Sequence, residues 1–248
     1  MALHLLVWIL LMTGIVSLVS LIGVFTLWMK DATFRKILFA LVALSTGALL
    51  GGGLLHLAAE SIGILGTDAA FMLLIAGFSV FFLLEKFLFW HHCHEGKCDV
   101  HPYTYLILFG DGIHNFIDGL VIAASFFVNP AFGMVTTMII ISHEVPQELG
   151  DFGVLVHGGM KKRKALLYNL LSQMSCMLGG VIGYFASGIG GFQAPLLPFA
   201  AGGFVYIAAS DLIPELHKET DKKKSIIAFA FFVIGVLLML GFKLAFGE

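Results

Sequence analysis

Two short stretches of this sequence carry side chains suited to holding a cation. Asp111, His114, Asn115 and Asp118 stand three, one and three positions apart, and His143, Glu144, Gln147, Glu148 and Asp151 recur at intervals of three and four. At about 3.6 residues per turn each set falls on one stripe of a helix, so the side chains converge. A lone intramembrane Asp or His often serves only as an interhelical hydrogen-bonding residue. Nine polar side chains on two stripes exceed that role. No Lys or Arg lies between Cys98 and Met160, whereas Asp99, Asp111, Asp118, Glu144, Glu148 and Asp151 do. An ionised side chain near a bilayer centre costs about 3 kcal/mol even on the lenient insertion scale, so the five of these acids that fall on the two stripes require protons, water or a bound cation. The donor set is imidazole, carboxylate and amide without thiolate, which suits zinc, iron(II), manganese or cobalt and disfavours copper(I). An alkali ion would not need His114 and His143. Pro146 removes a backbone donor and frees the Ser142 carbonyl, and Gly112, Gly119 and Gly150 are expected to loosen the region, as backbone lining a cavity can be.

The elements that must position these stripes are membrane helices. The chain has 248 residues, 59% of them apolar and only 12% charged, with 14 Lys and Arg against 16 Asp and Glu for a net charge of -2. A soluble domain is about 45–50% apolar and about 25% charged, so the composition excludes a soluble protein, and the charge balance excludes a nucleic-acid surface. Three cysteines, Cys93, Cys98 and Cys176, cannot staple so long a chain. Each bilayer crossing needs about 20 mostly apolar residues, and the charges divide the sequence into eight such stretches, near 4–29, 36–59, 68–90, 103–127, 131–157, 166–187, 194–217 and 225–246. The first has no basic leader and exceeds the roughly 7–15 residues of a signal-peptide core, so it is expected to be retained. Thirteen of the 14 Lys and Arg fall in or beside the loops after the first, third, fifth and seventh helices, which puts those loops in the cytoplasm and both termini outside. Gly52–Ala59 is echoed by Gly202–Ala209, identical at four of eight positions. The echo fits a 3+2+3 plan, two three-helix units of inverted topology around a central pair, although small-residue runs also recur simply for close packing.

His114-Asn115-Phe116-Ile117-Asp118-Gly119 and His143-Glu144-Val145-Pro146-Gln147-Glu148-Leu149-Gly150-Asp151 resemble the paired signature motifs of the ZIP (Zrt/Irt-like) family of divalent-metal transporters. The likeness covers the whole chain, residues 1–248, as a single all-α transmembrane transporter domain with a His-bearing cytoplasmic loop at 91–102 and Asp211-Leu212-Ile213-Pro214-Glu215 in the seventh helix. It implies a two-metal centre between the fourth and fifth helices. His114, Asp118, His143 and Gln147 would form the primary site. Asn115, Glu144 and Glu148 would serve the second, with Asp118 as the bridge. It also implies elevator-type alternating access, in which the central pair, with the first and sixth helices, moves against the other four and carries metal into the cytoplasm. The transported substrate would be zinc foremost, with iron, manganese, cobalt or cadmium as alternatives.

The chain departs from the family pattern in two places. Gln147 stands where His is frequent, and His56-Leu57-Ala58-Ala59-Glu60 lacks a proline before its acid, so His56 and Glu60, like Asp111, Asp151, Asp211 and Glu215, are expected only along the pathway. In the sixth helix Ser172 and Gln173 are the polar candidates. The rival from another class is a membrane-embedded zinc hydrolase, since His143-Glu144 begins an H-E-x-x-H motif, but Gln147 breaks it. The loop residues His91, His92, His94 and His101, with Cys93 and Cys98, offer a separate candidate metal site without the usual C-x-x-C spacing. Expected partners are divalent metal ions, the lipid bilayer and a second copy of the chain, with no nucleic acid. The short loops suggest a prokaryotic cell membrane.

Overall fold

The computed structural model describes residues 2–26, 31–88, 103–157, 159–187 and 191–246. These residues form eight long helical segments: α1 (2–26), α2 (31–65), α3 (Thr67–Leu88), α4 (Tyr103–Val128), α5 (Pro130–His157), α6 (162–187), α7 (193–217) and α8 (Lys222–Phe246). Among the described residues seven segments are long and apolar enough to cross a membrane, α5 being the exception. The reason lies in its sequence, because His143, Glu144, Glu148 and Asp151 interrupt an otherwise apolar helix. The same polarity shows in α4, whose spanning window has a mean hydropathy of 1.2 against 2.7 for α8.

Local chemistry sets the breaks. Gly66, at φ +80°, turns the chain between α2 and α3 in a conformation that only glycine adopts freely. Between α4 and α5 the Asn129 side-chain oxygen accepts from the Phe132 N–H at 2.8 Å, and Pro130 takes the first helical position, where its missing N–H costs nothing. The connection is therefore short, and α4 and α5 lie side by side.

One expectation about the backbone is corrected. The helix of α5 runs on through Pro146, which lacks the N–H donor as its sequence requires, but Gly119 tightens its neighbourhood instead of loosening it. A Cβ on Gly119 would sit 2.0 Å from the Cys176 carbonyl oxygen, and one on Gly179 would sit 2.0 Å from that of Phe116, so α4 and α6 touch backbone to backbone. Small residues permit such approach where lipid offers no hydrophobic drive for association. Winding does change elsewhere, in π-helical stretches at Gly52–Ala58 of α2 and Ala208–Leu212 of α7. The echoing runs of α2 and α7 meet, a Cβ on Gly53 lying 3.4 Å from the Phe204 Cβ and 3.5 Å from the Val205 Cγ2.

Packing falls into two groups, with α1 and α6 beside α4 and α5, and with α2 against α8 and α3 against α7. The common core, including Leu57, Val121, Ile122, Phe126, Ile139, Ile140, Leu197 and Phe204, fills the space between them. It presses α4 and α5 together just outside the polar stripes.

Candidate metal centre

The stripes of α4 and α5 face each other. His114, Asp118, His143 and Glu144 each bring one ligand atom into a group whose members all lie within 4.8 Å of one another. The His143 Nε2 lies 3.2 Å from Asp118 Oδ2 and 3.4 Å from Glu144 Oε1, and His114 Nε2 lies 3.4 Å from Glu144 Oε1 and 3.7 Å from Asp118 Oδ2. Tetrahedral zinc with bonds of about 2.0–2.2 Å requires ligand atoms roughly 3.3–3.6 Å apart, and these four separations between imidazole and carboxylate are close to that length. The two imidazole Nε2 atoms are 3.2 Å apart. The Ile139 carbonyl oxygen lies 3.3 Å from His143 Nδ1 and can only accept, which assigns a proton to Nδ1 and leaves Nε2 as the ring atom that faces the group. Only His114 keeps measurable exposure, 11% of its side chain, whereas the other three are at 1% or less. The Phe81 and Phe204 rings stand edge to face with His114 and His143 and wall the group off with apolar surface.

A second group, Asp111, Glu144 and Glu148, shares Glu144 with the first and offers only oxygen. Each carboxylate is held by an amide. Asp111 Oδ1 accepts from Asn115 Nδ2 at 2.9 Å and from Gln147 Nε2 at 3.3 Å. Glu144 Oε2 accepts from the Gln173 amide and Glu148 Oε2 from the Asn169 amide, both on α6. The opposite oxygens are buried: Asp118 Oδ2 and Glu144 Oε1 face only the two imidazoles, and Asp111 Oδ2, Glu148 Oε1 and the amide oxygens of Asn115, Asn169 and Gln173 have no hydrogen-bond partner. No Lys or Arg forms an ion pair with any of them among the described residues. Buried acceptors without donors are costly unless something positive sits among them.

A family model, that of the ZIP zinc transporter, matches residues 91–243. The chain belongs to the ZIP family. Zinc transporter ZIP13 of Pongo abelii is 38% identical over 177 residues, 68% of this chain and 52% of that protein. Zinc transporter ZIP10 of Homo sapiens is 37% identical over 176 residues, 64% of this chain and 20% of that protein, and zinc transporter zipt-7.2 of Caenorhabditis elegans is 38% identical over 141 residues, 55% and 30%. The chain thus spans about a fifth to a half of the length of these curated relatives. They are named as transporters, which does not favour the hydrolase alternative. As animal proteins they give no support to a prokaryotic origin.

In this ZIP chain the residue common to both groups is Glu144, whereas Asp118 belongs to the histidine group alone. Gln147, expected beside the histidines, instead donates to Asp111, and Asn115 does the same. Asp151 is half-buried on α5 and in neither group. His56 is buried against α5, stacked on Phe132 with ring centres 3.9 Å apart and with its Nε2 3.2 Å from Thr136 Oγ1. Glu60 is half-buried in α2, Glu215 is exposed and paired with Lys218, and the Asp211 side chain lies outside the described residues. His91, His92, His94 and His101 also lie outside them. Ser172 donates to the Leu108 carbonyl oxygen at 2.7 Å and serves helix contact. Asn169 is the residue that sequence reasoning missed. Its signal was the i, i+4 spacing to Gln173 on a buried face.

Proposed function

We propose that this chain carries divalent transition-metal ions, zinc foremost, across a membrane through the centre between α4 and α5. The observation that carries this reading is the convergence of two imidazoles and four buried carboxylates, with no Lys or Arg paired to them among the described residues. His114, Asp118, His143 and Glu144 hold one ion, and Asp111, Glu144 and Glu148 hold a second. Iron, manganese, cobalt and cadmium are the other ions that this donor set accepts. The names of the zinc transporters it resembles support zinc, and the mixed nitrogen and oxygen donors suit a site that must release its ion.

In this reading residues 1–248 are one transport domain that crosses the membrane eight times with both termini outside, α5 crossing because its acids face the cargo and its neighbours rather than lipid. The inverted relation of α1–α3 to α6–α8 is supported by the echoing runs of α2 and α7 and by two matching close approaches. Gly47 and Gly235 join α2 to α8, and Gly77 and Gly202 join α3 to α7. The two packing groups are the bodies that slide past one another and deliver metal to the cytoplasm. His56, Glu60, Asp151, Asp211 and Glu215 lie along the route, and two copies of the chain associate. Purified protein in lipid vesicles takes up zinc down an imposed gradient. Protein that cleaves a peptide or lipid substrate and moves no zinc would overturn the reading.

Three further outcomes follow. Metal and protons compete for the same lone pairs, so zinc binding falls as pH is lowered from about 7.5 to about 5.5 and releases protons. Titration in weakly buffered solution checks this, and pH-independent binding would contradict it. Gln147→His exchanges an amide for an imidazole beside Asp111, which tightens zinc binding and raises its preference over manganese by about tenfold. Competition uptake with an unchanged zinc-to-manganese ratio would place residue 147 away from the ions. Serine at positions 91, 92, 94 and 101 leaves maximal uptake intact and alters at most apparent affinity. Loss of all uptake at normal abundance would make the loop obligatory.

A further inference from the structure

We propose that Asn169 and Gln173 are positioning residues on α6 that set metal selectivity by forcing Glu148 and Glu144 to bind through one oxygen each. This rests on the reading of the centre as a metal site. Both amides are fully buried and lie one helical turn apart on α6. Gln173 donates to Glu144 Oε2 and Asn169 to Glu148 Oε2. A carboxylate only accepts, so the amide must turn its NH2 toward it. That contact occupies one oxygen of each glutamate and leaves two buried oxygens for an ion, Glu144 Oε1 beside the two imidazoles and Glu148 Oε1 without a partner. The close contact of Gly119 and Gly179 fixes the distance between α4 and α6, and Ser17 of α1 donates to the Gln173 backbone carbonyl oxygen at 2.9 Å, so the α6 backbone that carries the amides is itself held in place.

Denticity decides which ion fits. Zinc is satisfied by four ligands at short distance, and one oxygen per carboxylate gives four in the histidine group and three in the all-oxygen group, far short of six. Manganese and other hard divalent ions seek six oxygens, which two-oxygen binding by Glu144 and Glu148 would help to supply. The α6 amides therefore withhold the oxygens that a larger coordination shell would need. Ligand identity is unaffected by their removal, but ligand count is freed.

The test uses the purified full chain and equilibrium binding of zinc and of manganese separately, comparing wild type with Gln173→Met and Asn169→Leu, which are near in size and cannot donate. The ratio of zinc to manganese affinity is expected to fall about tenfold or more in each variant, with manganese gaining in absolute terms. A uniform weakening of both metals at constant ratio, or no change, would overturn the proposal, since a merely structural role moves both ions together. Should Gln173→Met fail to fold, Asn169→Leu, which removes the hydrogen bond to Glu148 and leaves that to Glu144, decides. Wild type that binds neither metal would instead refute the reading of the centre on which the proposal stands.

Discussion

Glu144→Ala loses zinc uptake by at least about 100-fold, more than any other single change in the centre, while the protein reaches the membrane in normal amount. The reason is geometric. Glu144 supplies an oxygen to the histidine group and to the all-oxygen group, so its removal dismantles both. It also orphans the Gln173 amide that donates to it. Asp118→Ala removes one oxygen from the histidine group only and costs uptake severely but less, although the sequence motif alone would make Asp118 the bridge. Glu144→Gln and Asp118→Asn keep volume and lose charge, and so separate electrostatics from packing. Equal losses for Asp118→Ala and Glu144→Ala would mean that the two groups act as one, and normal uptake by Glu144→Ala would remove Glu144 from the path altogether.

Gly179→Ala is the second large effect, and it touches no ligand. The added Cβ would lie 2.0 Å from the Phe116 carbonyl oxygen, a backbone atom that cannot rotate away, so α4 and α6 must separate. Overpacking of this kind costs about 1–3 kcal/mol or more. In a chain of this size each kcal/mol is roughly 2–4 °C of melting temperature. The separation also displaces the α6 backbone that carries Asn169 and Gln173, which donate to glutamates of α5, so metal affinity falls with stability. Gly241→Ala, with open space around its Cβ position, is the matched control and leaves both unchanged. Thermal unfolding in detergent checks the pair, and a Gly179→Ala protein as stable as Gly241→Ala would contradict the close approach.

Sequence periodicity makes much of this legible. The eight apolar stretches reappear as eight helical segments, and the stripes of α4 and α5 meet, because a 3.6-residue period and an absent counter-charge are visible without coordinates. Boundaries shifted where charge was read as loop. Lys162, Arg163 and Lys164 begin α6 rather than precede it, and α2 runs on to Leu65 through its π-helical stretch. Which carboxylate serves both groups was not legible, since Asp118 and Glu144 differ by side-chain reach and not by spacing. The Asn169 amide was missed because a polar residue in a membrane helix looks the same whether it faces a site or a neighbouring carbonyl, as Ser172 does. Only the placement of α6 against both α4 and α5 tells them apart.

Zinc uptake into vesicles by the double variant His114→Ala/His143→Ala, beside the variant with serine at the four loop histidines, tests the central claim most directly. Both imidazoles of the centre are lost in the first and none in the second. The account predicts that the double variant moves zinc no faster than protein-free vesicles do, while the loop variant keeps the wild-type maximal rate. Wild-type uptake by a folded double variant, or loss confined to the loop variant, would place the metal path outside the α4–α5 centre.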